Sequence, residues 1–281
     1  MDYHRPTSVD EALALLARLG EDAKVLAGGT ALAIMLHHRL VAPEALVSLE
    51  RTEGLRAVEA SPDGGLTLGA CVSIAQAAAH PLVREHAPAL ARAYGVVGNV
   101  RVRKQATVGG NLAEADYASD PPAMLAALDA RVRIARPNGE RTLDMGALLL
   151  GAYETALEPG ELLTHVEVPA PAPGLRAAYR KFTSRSAEDR ACVGVAAAAV
   201  LADGVCSGLR VAVGAACEVP TRVPEAEALA EGQPLTPALA RRIGDAYADA
   251  VDALDDLRGS AWYRRKVIAV EVRRALEEVA G

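Results

Sequence analysis

Two stretches decide the fold: residues 24–32, KVLAGGTAL, and residues 107–120, TVGGNLAEADYASD. In each, a pair of glycines follows an apolar run and reads as a tight turn. Glycine has no Cβ, so it adopts positive φ readily and lets another group approach the backbone. Successive N–H groups exposed in this way form a nest that suits a phosphate or pyrophosphate. Two such loops can converge on one diphosphate, which points to a bound nucleotide cofactor. Residues 27–32 read either as that cradle or as an ordinary strand-to-helix turn. Around the second pair, Thr107 offers a hydroxyl, Gly109 and Gly110 bare amides, and Asn111 both a donor and an acceptor. Asp120 reads as an acceptor for a sugar-like polyol or as the N-cap of a helix starting at Pro121. Neither stretch is G-x-G-x-x-G or G-x-x-x-x-G-K-S/T, which argues against Rossmann and P-loop nucleotide sites.

Outward from the first stretch, Ser8 and Glu11 have capping-box spacing, with a helix expected to Leu19 and a stop at Gly20. Strands are expected at 25–27 and 45–49, around a short helix at 31–36. Residues 55–60 and 66–69 flank SPDGG, a hairpin signal. Ser73 is read as the cap of a helix to Ala79, and 87–98 as another helix leading into the second glycine pair. Arg101, Arg103 and Lys104 read as a solvated turn. Beyond it come a helix at 121–128, strands at 132–135 and 141–143 around Pro137-Asn138-Gly139, and a strand at 163–168. Proline at alternate positions in 169–174 resists both helix and central strand, and marks the domain boundary. After it, strands are expected at 177–183, 193–201 and 209–214, with turns at ADG and VCSG. Long amphipathic helices follow at 237–254 and 261–279. The second half therefore reads α+β, a small antiparallel sheet carrying helices.

The 281 residues allow one large or two ordinary domains, and 51% are hydrophobic, enough for a substantial core. Aromatic residues are only 3%, so Ala, Leu and Val must fill that core. A net charge of −6 argues against a nucleic-acid protein. MDYHRPTSVDEA has no apolar leader region, and no apolar run approaches the roughly 18 residues of a spanning helix, so a cytoplasmic protein is expected. Cys71, Cys192, Cys206 and Cys217 form no C-x-x-C pair and read as reduced core residues. His37 and His38 follow an apolar run and read as surface residues, and His4, His80, His86 and His165 have no partner at ligand spacing.

KVLAGGTAL followed by TVGGNLAEADYASDPPAMLAALDA resembles the FAD-binding medium subunit of molybdenum hydroxylases, the carbon monoxide dehydrogenase and xanthine dehydrogenase families. The likeness extends over nearly the whole chain. GELLTHVEVP (160–169) is similar to the last strand of that family's flavin domain. YRKFTSRSAEDRACVGVAAAAV (179–200) is similar to the start of its C-terminal domain, and RGSAWYRRKVIAVEVRRALEE (258–278) to its closing helix.

The resemblance implies an α+β protein with a two-lobed FAD-binding domain of the vanillyl-alcohol-oxidase (PCMH) type at 1–170. Its lobes would be about 1–53 and 54–170, followed by a small α+β domain at 174–280. FAD would lie between the lobes with its pyrophosphate on the glycine loops. Val25, Leu26, Ala27, Gly28, Gly29, Thr30, Ala31 and Leu32, with Thr107, Val108, Gly109, Gly110 and Asn111, would line the cofactor. Val97 would pack on the flavin side, Asp120 would hydrogen-bond the cofactor, and Leu163 would touch an apolar part of it. Lys181 falls where the family places a lysine near the flavin, and a cation there could stabilise a reduced ring; the alternative is a solvated strand lysine. Three positions depart from the family pattern: Ala31 for Asp or Ser, Glu114 for His, and Tyr117 for Pro.

By the same resemblance the chain is one station of an electron relay. A large molybdopterin subunit would oxidise the substrate, and [2Fe–2S] clusters on a small subunit would pass electrons to FAD here. NAD⁺, oxygen or a quinone would receive them, the complex being a dimer of heterotrimers. Two other readings compete: a self-contained flavin oxidase of the same fold, and an interaction module that has lost FAD. About 110 residues with few aromatics make a poor substrate cap, and the intact Gly-Gly-Asn and Asp120 speak against the empty module.

Overall fold

The computed structural model describes residues 1–281. The first lobe contains β1 (Asp2–His4), α1 (Val9–Leu19), β2 (Ala23–Leu26), α2 (Leu32–His37) and β3 (Ala45–Ser48). Its three strands lie in the order β1-β3-β2, all parallel. Ser8 Oγ accepts from the Glu11 N–H at 3.1 Å, as the capping spacing requires. The Glu11 carboxylate, however, reaches past Ser8 to the Thr7 N–H at 2.7 Å. Gly20, at φ 59°, ends the helix.

The second lobe is built on a five-stranded antiparallel sheet of β4 (Val58–Ala60), β5 (Leu66–Gly69), β6 (Arg131–Arg136), β7 (Gly139–Asp144) and β10 (Leu162–Val168), in the order β4-β5-β10-β6-β7. Between its strands run α3 (Ile74–Ala79), α4 (Pro81–His86), α5 (Pro88–Gly95), α6 (Val100–Gln105), α7 (Val108–Glu114), α8 (Pro121–Ala127) and α9 (Met145–Leu148), and the small hairpin β8 (Leu149–Gly151) and β9 (Glu154–Thr155). Ser73 and Gln76 form a complete capping box on α3. The expected solvated turn at Arg101, Arg103 and Lys104 is helix α6. Asn99 caps it, and Arg103 Nη1 donates to the carbonyls of Val97 and Gly98 at 2.9 and 2.8 Å.

The C-terminal unit contains β11 (Leu175–Phe182), β12 (Val193–Ala202), β13 (Val205–Gly214), α10 (Pro224–Glu227), β14 (Gln233–Pro234), α11 (Pro237–Ala250) and α12 (Ala261–Ala280), its sheet running β11-β12-β13-β14. VCSG, expected as a turn, is the start of β13. The strand absorbs Gly208 at φ 57° where the β12–β13 register shifts. The VGVAAAA run of β12, residues 193–199, is buried on both faces. Ala196 and Ala198 pack with Tyr179 and Ala212 into the core of the second lobe, while Val195, Ala197 and Ala199 pack with α11 and α12 residues such as Ile243, Ile268 and Val272. Alternate residues of a strand point to opposite faces, and alanine lets helices approach from both sides. The core of the second lobe is thereby continuous with one face of the C-terminal sheet. No helix is long and apolar enough to cross a membrane.

Candidate functional site

A cleft of about 680 Å³ opens where the two lobes and the C-terminal sheet meet. That volume suits a cofactor-sized molecule. Val25, Leu26, Ala27, Gly28, Gly29, Thr30, Ala31, Leu32, Val97, Thr107, Gly109, Gly110, Asn111, Asp120, Leu163 and Lys181 line it. Val108 does not. Its side chain is buried in the core of the second lobe and its N–H donates to the Val72 carbonyl at 2.9 Å.

The two glycine pairs differ in what they do. In the first, Gly29 has φ 73°, and the N–H groups of residues 28–32 donate to no acceptor in the chain. Gly28 is there for a different reason. A Cβ on it would lie 2.0 Å from the Gln105 carbonyl oxygen, so a bare backbone is required where the first lobe meets the end of α6. The second pair is not a turn with free amides but the first turn of α7. Thr107 caps the helix, its Oγ1 accepting from Gly110 N–H at 3.1 Å rather than donating. Gly109 N–H donates to Ala70 O at 2.8 Å and Asn111 N–H to Thr107 O at 2.9 Å. Glycine is disfavoured in helices, and tertiary contact overrides the preference: a Cβ on Gly109 would lie 2.4 Å from the Ala70 Cβ. The Asn111 amide is turned to Ser119, with Nδ2 2.7 Å from Oγ.

Asp120 does not cap α8. It has helical dihedrals and no side-chain capping bond. Its carboxylate instead accepts from Tyr179 Oη at 2.8 Å on Oδ1 and from Lys181 Nζ at 2.9 Å on Oδ2. Lys181 also donates to the Val96 carbonyl at 2.8 Å and is buried rather than a solvated strand lysine. Burial pushes the Asp120 carboxyl above its ordinary range, and Lys181 and Tyr179 pull against it. Tyr179 went unnoticed in the sequence. Its signal was its spacing, two residues before Lys181 on one strand and hence on the same face. Gly194, the register partner of Lys181, leaves the room: a Cβ there would lie 2.7 Å from the Tyr179 hydroxyl.

The start of β10 serves both lobes, with Leu162 in the core of the first and Leu163 in that of the second. A register shift between Leu163 and His165 accompanies this arrangement. At the mouth, Glu114, Asp116, Tyr153, Glu188 and Arg190 line the cleft; none but Glu114 was singled out from the sequence. Arg190 Nη2 is 3.0 Å from Asp116 Oδ2, and burial together with the Asp116 charge raises the Glu114 carboxyl.

Residues 1–171 match the family described as the FAD binding domain in molybdopterin dehydrogenase, and residues 177–279 match the CO dehydrogenase flavoprotein C-terminal domain. The chain is 33% identical over 275 residues to the carbon monoxide dehydrogenase medium chain of Hydrogenophaga pseudoflava, covering 98% of this chain and 95% of that one. It is 33% identical over 279 residues to the nicotine 6-hydroxylase medium subunit of Paenarthrobacter nicotinovorans, covering 99% and 97%. Among solved structures it superposes on a chain of the Hydrogenophaga pseudoflava carbon monoxide dehydrogenase that lacks the Mo-pyranopterin moiety. That match has a TM-score of 0.95 at 34% identity and covers 99% of this chain and 96% of the other.

Proposed function

The chain belongs to the molybdopterin-dehydrogenase flavoprotein family, and on that premise we propose that its cleft holds FAD as the electron-transfer station of a molybdenum hydroxylase. The observation that carries this reading is the run of five amides at residues 28–32. They are free of any acceptor in the chain, and their residues line one cleft with the Asp120–Lys181 pair. Such a run suits a pyrophosphate, and the glycines keep side chains out of its way.

The residues fit FAD along the length of the cleft. Residues 25–32 would hold the pyrophosphate, with Gly110 beside Ala27 across the gap. Asp120 retains lone pairs for a hydroxyl of the cofactor while its charge is held by Lys181. Val97 and Leu163 supply apolar contact, and Thr107, Gly109 and Asn111 complete the wall. FAD supplies the exchange between one-electron and two-electron carriers that a relay between iron–sulfur clusters and a soluble acceptor needs. The protein holds it, balances the charge beside it and leaves the cleft mouth open.

A small subunit with [2Fe–2S] clusters donates the electrons, a large molybdopterin subunit oxidises the substrate, and NAD⁺, oxygen or a quinone accepts them, the complex assembling as a dimer of heterotrimers. The similarity to named medium chains over almost their whole length supports this division of labour. Residues 1–170 form the FAD-binding domain and 174–280 the domain that closes one side of the cleft. The test is the visible spectrum of the purified chain, with chromatography of the released cofactor. A wild-type chain that neither carries FAD nor takes it up on reconstitution sinks the reading. A flavoprotein that purifies without iron–sulfur and molybdopterin subunits, yet oxidises a substrate by itself, favours the self-contained oxidase.

A further inference from the structure

The segment between α7 and α8 contributes Asp116, Ala118, Ser119 and Asp120 to the cleft wall, but Tyr117 does not line it. Instead, the Tyr117 hydroxyl donates to Asp256 Oδ2 of the C-terminal unit at 2.8 Å. The Arg258 guanidinium carbon lies 5.3 Å from the ring centroid, and its Nη1 donates to the same hydroxyl oxygen at 2.9 Å. Tyr153 packs edge-on against the ring, with centroids 6.1 Å apart. The backbone is tied as well: Ala215 N–H donates to the Tyr117 carbonyl at 3.0 Å, and Ala118 packs on Ala191 and Ala215.

Asp256 is itself fixed from below. Its Oδ1 accepts from the Arg258 N–H and from Arg264 Nη2, both at 2.7 Å. Arg264 is fully buried, and its Nε and Nη1 donate to the carbonyls of Cys192 at 3.2 Å and Leu254 at 2.7 Å. A carboxylate gripped this way has no freedom to follow a moving partner. Whatever binds its second oxygen is registered to the core of the C-terminal unit.

We propose that Tyr117 and Asp256 form an interdomain latch: through Asp256, anchored on Arg264, the C-terminal unit sets the position of residues 115–120 and hence the grip of the cleft on its flavin. The latch rests on the FAD reading above. Tyr117 is a positioning residue, acting through the loop that carries Asp116 and Asp120. The Asp256–Arg258 pair receives its hydroxyl.

The test compares the full-length wild-type chain, with any co-purifying subunits, against Tyr117→Phe and Asp256→Asn. Tyr117→Phe keeps the ring and leaves the Asp256–Arg264 pair intact, so it folds even if Asp256→Asn, which weakens the counter-charge to buried Arg264, does not. Two quantities are read: amide hydrogen exchange across 115–120, and the rate of FAD release after dilution. A hydrogen bond to a carboxylate is worth enough that both should accelerate about tenfold in Tyr117→Phe. Unchanged exchange overturns the latch. Faster exchange with unchanged FAD release reduces the contact to a structural tie and overturns it too. A wild-type chain that binds no FAD fails at an earlier step and overturns the flavin reading, with the flavin-gripping role that depends on it.

Discussion

The Lys181 ammonium lies 2.9 Å from Asp120 Oδ2, and the two residues come from different domains. The resemblance implied a lysine whose charge acts on a reduced flavin; the structure gives it a buried counter-charge. Within the pair the two charges largely cancel beyond their immediate surroundings. Removing the carboxylate charge therefore exposes a cation. Removing the ammonium leaves a carboxyl that burial already pushes toward its protonated form. Asp120→Asn should raise the reduction potential of bound flavin by on the order of 30 mV, equivalent to about 1.4 kcal/mol for a two-electron couple. Lys181→Met should move it much less. Potentiometric titration of both variants decides, and shifts of equal size and opposite sign would show that the two charges act independently.

Tyr179 completes the same cluster. Tyr179→Phe should destabilise the protein by about 1–3 kcal/mol, because a buried carboxylate loses a donor. Gly194→Ala should act through the same atom, since its Cβ would meet the Tyr179 hydroxyl at 2.7 Å. The two substitutions should therefore be non-additive in a double-mutant cycle. Denaturant unfolding of the two singles and the double measures the coupling. If Gly194→Ala costs as much in the Tyr179→Phe background as in the wild type, the hydroxyl is not what the glycine accommodates.

The glycines of the two loops should rank by cause. Gly29→Ala carries the cost of a left-handed backbone, roughly 1–2 kcal/mol, and its Cβ would meet only the movable end of a side chain, Leu26 Cδ1 at 3.0 Å. Gly28→Ala and Gly109→Ala drive a Cβ to 2.0 Å from Gln105 O and to 2.4 Å from Ala70 Cβ, contacts that only backbone movement relieves. Gly110→Val strikes Thr107 Oγ1, which a Cβ would meet at 2.7 Å, and so also uncaps α7. Gly28→Ala should lose both thermal stability and FAD, while Gly29→Ala should keep most of each. Melting temperature and flavin content of the purified variants test the order; full flavin retention in Gly28→Ala or Gly110→Val would contradict it.

These glycines also mark the limit of the sequence. The strand, turn and helix at residues 23–37 could be read because apolar run, glycine pair and helix former agree locally. The second pair misled, because its purpose is contact with Ala70, a residue distant in sequence, and local propensity argues against a helix there. Strand β1 has three residues and exists only through pairing with β3, so it leaves no periodic signal. The alanine run of β12 reads as strand or helix by composition alone; pairing on both edges decides it. Nearly all the residues that the resemblance implied at the cofactor line the cleft. Asp116, Tyr153 and Arg190 at the cleft wall, and Tyr179 behind Asp120, were not legible, because each is placed by its tertiary partners. Val108 was carried along by its neighbours in the motif, although helix geometry turns it into the core.

Asp256 should leave a signature in the acid limb of stability. Burial alone would raise its carboxyl, but hydrogen bonds from Arg264, the Arg258 amide and Tyr117, with the Arg264 charge, hold it well below the usual carboxylate range. A carboxyl depressed in the folded state binds fewer protons there than in the unfolded chain, whose aspartate titrates near about 3.9. Its contribution is therefore fully present above that value and declines as pH falls toward the lower folded value. Asp256→Asn removes the titration. The difference in unfolding free energy between wild type and Asp256→Asn should be constant from about pH 6 to pH 5 and shrink progressively below about pH 4. Urea titrations at stepped pH give this difference directly. A gap that stays the same down to the acid transition would mean that Arg264 needs the shape of the side chain at position 256 and not its charge.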